Sequence, residues 1–289
     1  MDENDLADRF EAHRPHLIAV AYRMLGSLSE AEDAVQEGWL RLSRADTGEI
    51  DNLGGWLTTT VGRICLDILR SRKIRREEVF EARLPDPIIT ADDGTQPEQQ
   101  AVLSDSVGLA LLVVLDSLNP AERVTFVLHD MFAVPFDQIG PIIGKSAAAA
   151  KMMASRARRR VQGQAPRPDK DLPRQRKVVD AFLAAARGGE FEALLTILDP
   201  DVVLRADAGA LFPGMRILHG ATAVAGQLDT FHRAANATIS HPVLVNGHPA
   251  LLNTINGTPI SLLAFTITNN KITTIDLLSD PTRLPQPTP

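Results

Sequence analysis

The sequence predicts a multi-domain chain of two all-α modules followed by one α+β module. Three observations predict it. The chain has 289 residues, enough for two or three domains. Helical periodicity fills two stretches on either side of a proline-punctuated acidic segment. The last third then changes to β-branched runs divided by turn residues. A hydrophobic fraction of 44% and a charged fraction of 23% are ordinary for a soluble globular protein. The single cysteine, Cys65, excludes a disulfide framework and a cysteine-based zinc site, and it fits a reducing cytosol. No run approaches the roughly 18 apolar residues of a membrane span, and MDENDLADRFE lacks a signal-peptide pattern. A cytoplasmic protein with no membrane, metal or cofactor is expected.

The first module, residues 1–76, holds the amphipathic helix SLSEAEDAVQEGWLRLSR, the polar loop ADTGEIDNLG and the helix GWLTTTVGRICLDILRSRKIRR. Spacing places Trp56, Leu57, Val61, Ile64, Leu66, Ile68 and Leu69 mostly in a core, and the helix ends in the bases Arg70, Arg72, Lys73, Arg75 and Arg76. An aromatic beside a basic helix can also stack on an unpaired base, although core packing suits Trp56 better. Residues 77–100 form an acidic linker, with Glu77, Glu78, Glu81, Asp86, Asp92, Asp93 and Glu98 against the one base Arg83.

Helical periodicity resumes near Ala101, in a second module spanning residues 101–164. Here PFDQIGPII reads as a short helix ending at Gly144, Ser146 as the N-cap of a second helix, and Gly163 as its close. Ala147, Ala150, Ala154, Ala157 and Val161 share one face. Ala148, Ala149, Met152, Ser155, Arg156 and Arg159 lie opposite, flanked by Lys151 and Arg160. A small-residue inner face and a small, basic outer face are the layout of a helix-turn-helix entering a major groove. No acid occurs from Gly140 to Gln164. A solvated basic helix end would carry similar cations, because the macrodipole favours them there.

A proline-rich linker, residues 165–175, precedes the third module, residues 176–289. Two short helices, RQRKVVDAFLAAARGG and EFEALLTILD, lead into the strand DVVLRAD, and one helix near Ala221–Ala234 follows. Then come the strand-like runs ATISHPVLV, ALLNTI, ISLLAFTIT and KITTIDLL, with Asn246-Gly247 and Asn269-Asn270 placed where tight hairpins prefer them. Helices followed by an antiparallel meander indicate an α+β domain.

AEDAVQEGWLRL with GGWLTTTVGRICLDILRSRKIRR resembles region 2 of extracytoplasmic-function (ECF) RNA polymerase sigma factors. LDSLNPAERVTFVLHDMFAVPFDQIGPIIGKSAAAAKMMASRARRRV resembles their region 4 helix-turn-helix. The resemblance implies core RNA polymerase and promoter DNA as partners. Glu32, Asp33, Gln36, Glu37, Trp39 and Arg41 would face polymerase. Asp46 to Asn52 would capture a flipped base of the −10 element, with Trp56, Thr58, Thr59, Arg63, Arg70 and Arg72 holding melted strand and duplex. Unstacking costs a few kcal/mol per base, which a shaped pocket and phosphate contacts offset. Lys145, Ser146, Ala148, Ala149, Lys151, Met152, Ser155, Arg156 and Arg159 would read the −35 element, with Lys151 and Arg156 carrying the outward charge.

FLAAARGGEFEALLTILDPDVVLRAD resembles the opening of SnoaL-like domains, which form a cone-shaped sheet closed by helices. Sigma factors with this extension form a SigJ-like group, in which a linker motif and a DP-containing motif near the C-terminus are characteristic. LPDP (Leu84, Pro85, Asp86, Pro87) and SDPTRL (with Asp280 and Pro281) resemble them, although FEAR before LPDP departs from the aromatic-glycine pattern. The resemblance implies regulation by an intramolecular contact between the SnoaL-like domain and the sigma modules.

Catalysis would need an acid–base pair from Asp207, His219, His232, His241 and Asp276, with no phenol in this module because the only tyrosine is Tyr22. Fold analogy alone does not carry such a function, so no enzyme is expected. Phe182, Phe191, Phe212, Phe231 and Phe265 would line an apolar pocket or fill a core, leaving a small-molecule ligand open. A ligand-sensing helix-turn-helix regulator is the rival reading; it would leave the first module unexplained.

Overall fold

The computed structural model describes residues 3–78, 83–92, 108–164, 168–169, 171–209 and 212–284. Glu81, Asp93 and Glu98 of the acidic stretch lie outside them, as does the expected helix start at Ala101. The chain divides into two compact units. One comprises Met1–Val79 and Leu112–Ala165, the other Phe80–Leu111 and Pro166–Pro289.

The first unit is all-α. Its elements are α1 (Glu3–Leu25), α2 (Leu28–Leu42), a 3-10 turn (Thr47–Glu49) and α3 (Leu53–Glu78), then α4 (Leu109–Asp116, from Leu112 on), α5 (Pro120–Phe126), a π turn (Val127–Met131), α6 (Phe136–Ile143) and α7 (Ala147–Gln164). α3 buries Leu57, Val61, Ile64, Leu66 and Leu69 as their spacing requires, while Trp56 and Ile68 are half-buried. The same helix serves both helical modules. A Cβ at Gly62 would stand 3.5 Å from Leu128 Cδ1 and 3.6 Å from Ile142 Cδ1. Phe132 packs on α1, edge-on to His16 with ring centroids 5.2 Å apart and with the Arg23 guanidinium 5.0 Å above its ring. Cys65 is fully buried, and burial pushes its thiol up to about 12 against the opposing pull of Arg123.

The second unit is α+β. A seven-stranded sheet has the order β1-β4-β5-β6-β7-β2-β3. Its strands are β1 (Ile89–Ala91), β2 (Leu198–Asp207), β3 (Arg216–His219), β4 (Ile239–Val245), β5 (His248–Ile255), β6 (Thr258–Thr268) and β7 (Lys271–Leu278). β4 to β7 form the expected antiparallel meander, and β2 joins β7 in parallel. Asn246-Gly247 and Asn269-Asn270 hold positive φ at both positions, as their hairpins demand. α8 (Leu172–Gly188), α9 (Phe191–Ile197), α10 (Ala221–Ala225) and α11 (Leu228–Ala237) complete the unit. The expected helix near Ala221 is thus two helices.

Val179, Phe182, Leu194, Val224, Leu263, Phe265 and Ile275 fill one core between helices and sheet. Phe182 packs edge-on to Phe231 at 5.9 Å and to Phe265 at 5.2 Å, so these rings pack with one another in the core. Phe191 packs against the same core, whereas Phe212 is 76% exposed and lines nothing apolar.

Both linker sequences are built into this unit. β1 pairs with β4, matching Ile89 to Val245 and Ala91 to Val243. Asp169 accepts the backbone N–H groups of Asn269 and Asn270, and Asp171 caps α8 through Arg174 N. The acidic linker therefore contains a strand, and α8 begins inside the segment expected to be linker.

Candidate functional site

The helix-turn-helix is set by its turn. Gly144 takes the left-handed conformation (φ +68) that ends α6, and the N–H of Lys145 donates to Gly140 O at 2.9 Å. A Cβ at Gly140 would lie 2.7 Å from Lys145 O, so only glycine fits that approach. Ser146 caps α7 by accepting the N–H of Ala149 at 3.2 Å. Ala150, Ala154, Ala157 and Val161 are buried as expected. Ala147 is exposed instead, because it opens the helix before the buried stripe begins, and α7 runs past Gly163 to Gln164.

Lys145, Ser146, Ala148, Lys151, Met152, Ser155, Arg156 and Arg159 are exposed, and Ala149 is half-buried. Met152 presents 66% of its surface. Arg158 and Arg160 have structural partners: Arg158 donates to Asp130 at 2.6 Å and Arg160 to Glu122 at 3.1 Å. Those two ion pairs tie α7 to the π turn and to α5.

On the first module, Glu32, Asp33 and Gln36 are exposed along α2. Glu37 and Arg41 form an i,i+4 pair at 2.9 Å, and Trp39 packs on Phe10 with centroids 5.0 Å apart. The polar loop is shaped by its own side chains. Asp46 accepts from Gly48 N at 3.0 Å, and Asn52 accepts from Gly55 N at 3.0 Å to cap α3. Thr59 and Trp56 are half-buried, Arg63 is exposed, and Arg70 is exposed with Asp67 at 3.6 Å.

Two expected DNA contacts depart from expectation. Thr58 shares the inward face with Val61 and Cys65, so it is buried, and its hydroxyl donates to Gly54 O at 2.8 Å. Arg72 donates to Leu25 O at 2.8 Å, satisfying a carbonyl at the end of α1, and it also pairs with Glu30.

Residues 9–75 match the family described as Sigma-70 region 2. Over 291 residues the chain is 37% identical to the probable ECF RNA polymerase sigma factor SigI of Mycobacterium tuberculosis, covering 98% of this chain and 97% of that protein. The chain belongs to the ECF RNA polymerase sigma factors. This sigma factor is also 42% identical over 217 residues to SigJ of M. tuberculosis, covering 74% of this chain and 69% of that one. It matches the crystal structure of M. tuberculosis SigJ with a TM-score of 0.77 at 33% identity, over 96% of this chain and 97% of that chain.

The residues of LPDP and SDPTRL meet in the second unit of this sigma factor. Asp280 accepts the N–H and hydroxyl of Thr282 at 3.0 and 2.7 Å, which folds the turn that aims Arg283. Those bonds, the larger cause, and the nearby Arg283 hold the Asp280 carboxyl below the usual carboxylate range. Arg283 then donates to Asp86 at 2.9 Å, to Asp207 at 2.8 Å and to Leu84 O at 2.5 Å. Asp207 also accepts from Leu84 N at 2.8 Å and Gly209 N at 2.9 Å. Gly209 has φ +60, and a Cβ there would fall 2.1 Å from Asp280 Oδ2. One turn along the linker, Ile88 N donates to Asn246 Oδ1 at 3.0 Å while Asn246 N donates to Ile88 O at 2.9 Å. Arg176 pairs with Asp92.

Sequence reasoning missed Arg283, Asn246 and the latch role of Asp207. The signal available was the position of Arg283 inside SDPTRL; nothing local marks Asn246 beyond its turn.

The acid–base candidates have other placements. Asp207 belongs to the latch, and Asp276 is buried and accepts from Arg205 Nε at 2.6 Å and Nη2 at 3.0 Å. Burial raises the Asp276 carboxyl, with Arg205 pulling it back. His219 is exposed at the end of β3, His232 meets Asn236 at 3.2 Å, and His241 lies on β4 with its ring 3.0 Å from the Thr254 hydroxyl. His248, not singled out in the sequence, lines a cavity of about 50 Å³ with Asp276 and Gly108. Among the described residues no cluster of histidine, cysteine and acid could hold a metal ion, and no helix is long and apolar enough to cross a membrane.

Proposed function

We propose that this sigma factor binds core RNA polymerase and directs initiation at promoters with defined −10 and −35 elements. Polymerase contact is assigned to Glu32, Asp33, Gln36, Glu37, Trp39 and Arg41, and −10 capture to the Asp46–Asn52 loop with Trp56, Thr59, Arg63 and Arg70. Thr58 and Arg72 act there as positioning residues. The −35 element is assigned to Lys145, Ser146, Ala148, Ala149, Lys151, Met152, Ser155, Arg156 and Arg159. Sigma region 2 is taken as 1–76 and region 4 as 101–164, with a non-enzymatic SnoaL-like domain from 176 and a cytoplasmic place of work.

The observation that carries the reading is the exposed, basic outer face of α7 behind a capped, glycine-dependent turn. Lys and Arg there supply salt-dependent phosphate contacts, while small side chains at the helix start let it approach base edges. The SnoaL-like domain regulates by holding the segment that joins regions 2 and 4. With Leu84, Pro85, Asp86 and Pro87 latched by Asp207, Arg283 and the turn at Asp280 and Pro281, the two regions keep their packed arrangement. Release lets them engage separate promoter elements.

Run-off transcription with purified core polymerase tests this. Addition of the full chain yields transcripts with a defined start, and truncation after Gln164 changes their yield. Duplex binding without any transcript would instead indicate a stand-alone helix-turn-helix regulator.

A further inference from the structure

The first unit carries a cleft of about 490 Å³ where α3 passes the corner between α4 and α5. That size falls within the roughly 300–1,000 Å³ of small-molecule sites. Four cations from three helices line it, Arg72 and Lys73 of α3, Arg123 of α5 and Arg160 of α7, together with the one carboxylate Asp116. Arg123 holds Asp116 at 2.7 Å at the base of the cleft. Glu30 and Glu122, outside the lining, anchor Arg72 and Arg160. Among the described side chains of the cleft and these two anchors, four cations meet three carboxylates.

Anchoring does not consume Arg160 or Lys73. Arg160 gives Glu122 a single bond, and a guanidinium has five N–H donors. Lys73 is exposed, with no ion pair among the described residues. Beside the charges, Leu69, Leu118 and Pro120 form an apolar wall. A free phosphate would leave that wall uncovered, and an apolar ligand would leave the charges unanswered.

We propose that this cleft binds a nucleoside polyphosphate, its phosphates against Lys73 and Arg160 and its base against Leu69, Leu118 and Pro120. Because the cations come from both helical modules, the ligand bridges them and favours their packed arrangement. That consequence for transcription rests on the sigma-factor reading; the binding itself does not.

Calorimetric titration of the full chain in low salt, with GTP, ATP, inorganic tripolyphosphate and guanosine as probes, tests the proposal. A nucleotide should bind at one saturable site, more tightly than tripolyphosphate, and guanosine should not register. Lys73→Gln and Arg160→Gln should each weaken nucleotide binding about fivefold. Lys151→Gln, on α7 away from the cleft, should leave it within about twofold. Thermal unfolding confirms that the variants are folded; Lys73, being exposed, carries the test if Arg160→Gln is unstable. Absence of saturable binding, equal weakening by Lys151→Gln, or tripolyphosphate binding as tightly as the nucleotides overturns the proposal. A chain that initiates transcription yet binds no nucleotide overturns this inference alone.

Discussion

Replacing Arg283 with alanine removes the side chain that closes the latch on the linker. Three bonds go at once, to Asp86, Asp207 and Leu84 O. Breaking one partner of a buried ion pair costs about 3–5 kcal/mol when the other charge is stranded. Asp207 is buried but keeps the N–H donors of Leu84 and Gly209, and Asp86 is open enough to recover water. The cost therefore falls to about 2 kcal/mol. It falls on the linker and on Asp207 at the end of β2, where the three bonds terminate. At 1.4 kcal/mol per tenfold, release of the linker becomes roughly 30-fold more frequent. Hydrogen exchange reads this directly, since Leu84 N–H and Ile88 N–H are both held by side chains of the domain. Peptides covering 84–92 should exchange roughly 30-fold faster in the variant, with β5 to β7 unchanged. Unchanged exchange across 84–92 would refute the latch.

Other consequences are open to measurement. Gly140→Ala pushes a methyl into Lys145 O and should destabilise the helical unit by about 1–3 kcal/mol, read as a lower denaturation midpoint, with loss of promoter binding. Cys65, buried with its thiol pushed up to about 12, should react with thiol reagents only at the rate of unfolding; fast labelling of the native chain would contradict its burial. Burial holds the His248 ring below its ordinary 6.5, so the unfolded chain binds the extra proton first as pH falls. Stability from this group is therefore full above 6.5, declines below it, and stops declining under the folded value. His248→Gln should flatten that part of a denaturation series between pH 7.5 and pH 5.

Much of the fold was legible because local chemistry decides it. Asn246-Gly247 and Asn269-Asn270 mark their hairpins, KITTIDLL is β7 to the residue, and Gly144 with Ser146 defines the helix-turn-helix turn. β1 and β3 were not legible. Strands of three and four residues carry no periodicity of their own, and β1 exists only through Val243 to Val245 on β4. Arg72 shows the same limit at the site. A basic helix end advertises DNA, yet its carbonyl partner Leu25 is 47 residues away in sequence. Arg283 likewise reaches Asp86 across 197 residues, so the LPDP and SDPTRL motifs could be named but their chemistry could not.

Run-off transcription with core polymerase, comparing the full chain with its Arg283→Ala variant at equal concentration, tests the central claim most directly. The account predicts promoter-dependent transcripts from both and a higher yield from the variant, because freeing residues 84–92 lets regions 2 and 4 reach their separate elements. Equal yields, with the exchange of 84–92 shown to be faster, would contradict regulation through the linker.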